Sequence, residues 1–176
     1  MLKAELINPF LEGAITFFKQ ELGIDITRGK PRIGESHSTP EEITVMVGIS
    51  GESEGFVLYS MNQRTAKNIA SAMLESPVPL YDQLAESALG EMGNIITGQA
   101  ASRLEHLGYI CRLSPPALIA GEGTIISAID IPMLVIPVEL DSLGSLAMHV
   151  ALRKHSLNRQ KPGISSTKLL NSTSAK

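Results

Sequence analysis

The sequence predicts an α+β fold made by pseudo-two-fold duplication. Two copies of a helix-plus-three-strands unit would give one antiparallel sheet with two long helices packed on it. Three observations carry this prediction. Residues 4–22 and about 81–107 hold apolar residues at helical spacing, and each stretch stops at a glycine, Gly23 or Gly108. Each stretch is followed by the same succession of strand, bend, strand, turn and strand. Short matches also recur at a common distance: Leu22-Gly23 with Leu107-Gly108, and Pro31 with Pro116, both 85 residues apart.

Taken in order, residues 4–22 form an amphipathic helix with Leu6, Phe10, Ala14, Phe17 and Phe18 on its apolar stripe. Residues 24–34 alternate like a strand, with Pro31 marking an edge or bend. Residues 35–41 read as loop. ITVMVGIS (43–50) and GFVLYSM (55–61) read as two strands joined through GESE as a hairpin. Residues 62–75 form a helix with Asn62 as N-cap and Ala66, Ile69, Ala70, Met73 and Leu74 as its apolar stripe. SPVPLYD links it to the second long helix. YICRLSPPALIAG then gives strand, Pro-Pro bend and short strand, and GEGT (121–124) is a turn. ISAIDIPMLVIPVEL is a strand pair or one long bent strand, with Pro132 and Pro137 restricting its pairing. LGSLAMHVAL (143–152) is the last strand. This places one domain over residues 1–155, with halves at about 4–75 and 81–152. The Ser-, Thr- and Asn-rich tail, 156–176, is expected to be disordered.

Composition narrows the function. With 176 residues, 43% hydrophobic and 19% charged, the chain can bury a core. A net charge of −3, no Trp and 4% aromatics argue against a nucleic-acid-binding face. The single cysteine, Cys111, excludes an intramolecular disulfide and fits a reducing compartment. The N-terminal residues are interrupted by Glu5, Asn8, Glu12 and Lys19 and do not read as a signal peptide. No apolar run reaches the ~20 residues a membrane span needs. The expectation is a cytoplasmic protein without membrane contact. His37, His106, His149 and His155 lack metal-ligand spacing, so no metal site is expected. Ser50 in GISGES is no nucleophile elbow, and Gly121-x-Gly123 is no dinucleotide motif.

The stretch SALGEMGNIITG (87–98) stands out. At ~100° per residue, Leu89, Met92, Ile96, Ala100, Leu104 and Leu107 share one stripe of the second long helix. Ser87, Glu91, Asn94, Gly98, Ala101 and Glu105 share the opposite one. Ser87 to Glu91 is i to i+4 and Glu91 to Asn94 is i to i+3, so the three side chains stand in a row flanked by Gly90, Gly98 and Ala101. Gly90, Gly93, Gly98 and Asn94 together forgo roughly 3 kcal/mol of helix propensity. Such a concentration of small residues suits a helix that another body approaches closely, whether its own sheet, another helix or a partner protein.

The spacing Ser87-x3-Glu91-x2-Asn94, with Pro115-Pro116 about twenty residues on and the phrase GEMGNIITGQAAS, resembles the CheC/CheX/FliY family of chemotaxis phosphatases. The resemblance covers about residues 4–152 and implies a CheC-like fold. The offset of 85 carries Glu91 back to Leu6 and Asn94 to Pro9, in NPFLEG, where the Glu-x2-Asn pair is missing. Members with the signature only on the second helix are CheX-like, so the chain is identified as closest to CheX. The resemblance implies a phosphorylated CheY-like response regulator as substrate and partner, a homodimer, and catalysis by Glu91 and Asn94. Asn94 would position the attacking water, and Glu91 would dock to the regulator's lysine. Ser87, Gly90, Gly98 and Ala101 would meet the partner. This chain would bind no cofactor, the Mg²⁺ being on the regulator. A non-catalytic module that binds or scaffolds a regulator on the same fold is the alternative.

Overall fold

The computed structural model describes residues 4–34, 41–124 and 131–154. The loop expected at 35–41, except for Glu41, and the tail from Ser156 lie outside the described residues. The elements are α1 (Ala4–Leu22), β1 (Ile26–Arg28), β2 (Arg32–Gly34), β3 (Ile43–Gly51), β4 (Ser53–Met61), α2 (Gln63–Met73), α3 (Gln83–His106), β5 (Cys111–Leu113), β6 (Ala117–Ala120), β7 (Met133–Leu140) and β8 (Gly144–Lys154).

The duplication appears in the sheet. Its strand order is β1-β7-β8-β4-β3-β5, with β2 also on β7 and β6 also on β3, all antiparallel. Exchanging the first unit (α1, β1–β4) with the second (α3, β5–β8) leaves this order unchanged. Each unit gives its broken short strand to the edge of the other unit's hairpin. The two halves therefore cannot separate without opening the sheet at three places. The strands β4 and β8 meet at the centre over nine paired positions, Ser53↔Lys154 to Met61↔Leu146.

Local chemistry explains the breaks and ends. The short strands β1 and β2 are split around Pro31, as that residue predicts. The residue Pro137 sits inside β7, where a proline would leave a gap in the ladder. Its carbonyl accepts from Gly29 N–H at 2.8 Å, so its donorless nitrogen faces the same side, where β1 has ended and β2 has not begun. Within ISAIDIPMLVIPVEL, residues 133–140 form a strand, and residues 125–130, on which the choice between a strand pair and one long strand rests, lie outside the described ones. The β3–β4 hairpin closes through GESE as expected: their mutual pairing ends at Ile49↔Gly55, and the strands run further only because Ser50 and Gly51 pair with β5 and Ser53 and Glu54 with β8. The helix α2 is capped by Asn62, whose side-chain oxygen accepts from Thr65 N–H at 2.8 Å. The helix α3 is capped by Asp82, which accepts from Leu84 N–H and Ala85 N–H at 3.1 and 3.0 Å. It ends at Gly108, with a φ of 87° that favours glycine. There Tyr109 N–H reaches Leu104 O and Gly108 N–H reaches Glu105 O, both at 2.9 Å.

Both long helices lie on one face of the sheet. Their buried stripes meet Val45, Val47, Val57, Tyr59, Ile136, Val138, Met148 and Val150. A smaller cluster of Phe56, Leu58, Ile131, Met133 and Ala151 lies apart from this core. The helices α1 and α3 run antiparallel: Arg103 pairs with Glu12 at 3.3 Å and donates to Thr16 Oγ1, while Tyr109 OH donates to Glu5. A Cβ at Gly13 would stand 2.7 Å from Ile96 O, so the two helices cross at glycine contact.

Candidate functional site

The glycines of α3 divide its surfaces. A Cβ on Gly93 would lie 2.7 Å from Val45 Cγ1 and 3.7 Å from the Tyr59 ring, so this glycine seats the helix on the sheet. Next to it, Tyr59 OH and Thr97 Oγ1 share a buried hydrogen bond of 2.8 Å, and Thr97 also donates to Gly93 O at 2.6 Å. Burial drives the Tyr59 phenol pKa far above its usual value, so it remains a neutral anchor under the helix. On the opposite side, a Cβ on Gly98 would meet nothing within 4 Å. Gly90 differs from both. It is buried, and its Cβ would meet Pro116 Cγ at 3.5 Å, an ordinary van der Waals contact, so the Pro-Pro bend lies directly over this position of α3. Gly90 thus lines the cleft beside Glu91 and Asn94 from a buried position.

Ser87, Glu91 and Asn94 are all exposed, and Gly98 and Ala101 are half-buried beside them. Ser87 Oγ donates back to Gln83 O at 2.9 Å. Among the described residues, the side chains of Glu91 and Asn94 have no hydrogen-bond or ion-pair partner. Both face a shallow cleft of about 430 Å³ lined by Gln83, Glu86, Ser87, Gly90, Glu91, Asn94, Pro116 and Leu118. Pro116, expected from the sequence as part of the Pro-Pro bend, builds one side of this cleft. Glu86 was not singled out and also lines it. Of the predicted apolar stripe, Leu89, Met92, Ile96, Ala100 and Leu104 are buried, but Leu107 is 54% exposed. It is the C-cap, where the backbone leaves the helix and turns the side chain off the core. Among the described residues, no group of three or more His, Cys, Asp or Glu is placed to hold a metal ion. No helix there is long and apolar enough to cross a membrane.

The comparison between the helices also corrects the repeat. Leu6 and Pro9, taken as counterparts of Glu91 and Asn94, are buried. Burial aligns α1 with α3 at a distance of 86 residues instead: Leu6 with Met92, Phe10 with Ile96, Ala14 with Ala100 and Phe18 with Leu104. The helix tips and short strands keep the 85 spacing, so one residue is absorbed near the helix ends. At 86, the counterparts of Glu91 and Asn94 are Glu5 and Asn8, both exposed. The Glu-x2-Asn spacing thus occurs on α1 after all, one residue earlier than the sequence matches placed it.

The family profile "Chemotaxis phosphatase CheX" matches residues 43–139, from the start of β3 almost to the end of β7, with α3 and the whole cleft inside. The chain belongs to this family. A CheY-P phosphatase CheX of Thermotoga maritima is 29% identical over 153 residues, covering 86% of this chain and 98% of that protein. The chemotaxis protein CheX of Desulfovibrio desulfuricans superposes with a TM-score of 0.77 at 25% identity, covering 85% and 99% of the two chains. CheX in a CheX-CheY-BeF3-Mg complex from Borrelia burgdorferi gives 0.74 at 28% identity, covering 86% and 100%. The α+β fold is thus that of the CheX and CheC-like proteins, and family membership makes the chain a phosphatase.

Proposed function

We propose that this chain hydrolyses the aspartyl phosphate of a CheY-type response regulator by inserting the exposed row of α3 into the regulator's active site. The observation that carries the reading is the state of Glu91 and Asn94: exposed, adjacent and without partners among the described residues, over the cleft that Pro116 walls. Docking would break no internal bond of either side chain. The relatives support the substrate class, since one is a CheY-P phosphatase and another is in complex with CheY.

An aspartyl phosphate is a mixed anhydride. Its hydrolysis needs a water in line with the leaving carboxylate, together with stabilisation of charge on the phosphoryl oxygens. The Asn94 amide supplies both contacts without acting as a base: its carbonyl accepts from the water, and its NH₂ donates to a phosphoryl oxygen. The water oxygen bonds to phosphorus, the bond to the aspartyl oxygen breaks, and inorganic phosphate leaves. Glu91 pairs with the regulator's active-site lysine and fixes the register of the helix. Ser87 makes an edge contact, and Gly90, Gly98 and Ala101 admit the partner backbone. Mg²⁺ belongs to the regulator in this scheme. The work of the phosphatase is positioning. The reading includes a homodimer in the cytoplasm, to be checked by sedimentation and by fractionation of the host.

The test is a single-turnover dephosphorylation assay on the host's own regulators with wild type and Asn94→Ala. Loss of turnover with retained binding is expected. Binding without turnover in the wild type would favour the non-catalytic module.

A further inference from the structure

We propose that Leu84, with Leu80 four residues before it, is the apolar anchor by which the α3 face selects its response regulator; this rests on the reading above. Leu84 is 58% exposed and Leu80 72%, two of the large hydrophobic side chains that the described fold leaves in water. Leu84 lies three residues before Ser87 and seven before Glu91, so at ~100° per residue it continues their row toward the helix start. Pro77 and Pro79 are exposed just upstream. The core makes no use of either leucine: neighbouring Ala85 and Ala88 are the residues buried against Ala70, Met73 and Val78. The anchor is also held in place. The Asp82 carboxylate accepts from the N–H groups of Leu84 and Ala85, which fixes the first turn that presents it.

The division of labour follows from chemistry. A phosphoryl group, its metal and a lysine are common to any regulator that Glu91 and Asn94 could serve. Those contacts supply turnover but little discrimination between regulators. An apolar side chain at the end of the row touches the partner outside the reacting groups, where one regulator surface can differ from another. A leucine there, two turns from Glu91 on the same row, is placed to act as a buried anchor once water is excluded. The occupant is therefore a receiver surface with a lysine in its active site and an apolar patch beside it.

The test measures affinity for a regulator locked in its phosphorylated form with beryllofluoride, together with steady-state kinetics. Leu84→Ser should raise both Kd and KM about tenfold, the scale of losing one leucine contact, with kcat at saturation within twofold. Leu84→Met should restore binding to within about threefold. Leu80→Ser should give a smaller rise. Across a panel of regulators, the double serine variant should narrow the spread of Kd values. Unchanged Kd and KM for Leu84→Ser would overturn the proposal. So would a change of sedimentation state with unchanged regulator affinity, which would assign the patch to a second copy of this chain. If the wild type binds none of the regulators, the proposal fails with it. Asn94→Ala separates the two readings: turnover at the wild-type rate would sink the catalytic role of Asn94 while leaving the Kd comparison at Leu84 intact.

Discussion

The exposed faces of α1 and α3 are two versions of one surface, and they differ in what surrounds the same pair of side chains. On α3, Glu91 and Asn94 are followed by Gly98 and Ala101; on α1, Glu5 and Asn8 are followed, at equivalent positions, by Glu12 and Ile15. Glu91 has no partner among the described residues. Glu5 accepts from Tyr109 OH at 2.9 Å and lies 3.9 Å from Lys154 Nζ, which itself stands 4.6 Å over the Tyr109 ring. Glu12 is tied to Arg103, and Ile15 stands 46% exposed where α3 has an alanine. The duplicated face thus splits into one side whose polar groups are tied to their own chain and one whose Glu-Asn pair is left without partners among the described residues. A carboxylate and an amide at the right spacing do not make a site; they must also be uncommitted and approachable.

The largest expected effect tests that contrast directly. Asn94→Ala should cut single-turnover dephosphorylation at least a hundredfold, about 2.7 kcal/mol in transition-state stabilisation, while Asn8→Ala stays within twofold of wild type. Comparable losses in both would make the faces equivalent and break the comparison. Next, Glu91→Ala should raise KM about tenfold, the scale of a lost charge-assisted contact, with a smaller change in kcat. Glu5→Ala should leave KM unchanged and lower stability by at most ~1 kcal/mol, as exposed contacts do. A third pair uses the glycines. Gly98→Ala meets open space and should stabilise the helix by up to ~1 kcal/mol, raising Tm by about 2–4 °C, yet slow the reaction several-fold as the new methyl group meets the partner. Gly93→Ala should do the reverse to stability, since Val45 Cγ1 must move from 2.7 Å. Faster turnover in Gly98→Ala would remove the case for close approach at that point.

Much of this arrangement can be read without coordinates, because it is written locally. Apolar periodicity marks α1 and α3 within a residue or two, Asn62 announces the start of α2, and Pro31 and Pro115-Pro116 announce the two broken strands. The row of Ser87, Glu91 and Asn94 follows from helix geometry alone. Two things are not local. One is the exchange of short strands between units: nothing in residues 26–34 names β7 as their partner, because that pairing is fixed by the closing of the whole sheet. The other is the one-residue phase between the helices. Loop glycines and prolines match at 85, and only side-chain burial shows that the helix faces match at 86. That single residue hid Glu5 and Asn8 behind Leu6 and Pro9. Leu84 was hidden for another reason: an exposed leucine in a first turn looks like any other apolar residue until the core is known.

The smallest expected effect concerns the sheet rather than either helix face, and separates folding from function under acid. His149 on β8 pairs with Leu58 and Val135, is 3% exposed, and neither ring nitrogen has a hydrogen-bond partner among the described residues. Burial, aided by the positive charge of Arg32, lowers its pKa from 6.5 to about 4. In the unfolded chain the imidazole takes up its proton near the ordinary value, whereas in the folded chain it stays neutral until about pH 4. Between these values the unfolded state holds more protons. Its contribution to stability is therefore intact above pH 6.5 and is lost progressively as the pH falls toward 4. Urea midpoints at pH 7 and pH 5 should drop for the wild type, and the drop should shrink in His149→Leu, the difference between the two proteins removing the carboxylates common to both. An equal drop in both would mean that His149 is protonated in the fold. If the drop does shrink, the ratio of Asn94→Ala to Asn8→Ala rates should remain unchanged at pH 5 for folded protein, because His149 is the cross-strand partner of Leu58 and so shares the sheet face of Leu58 and Phe56, away from the cluster under α3.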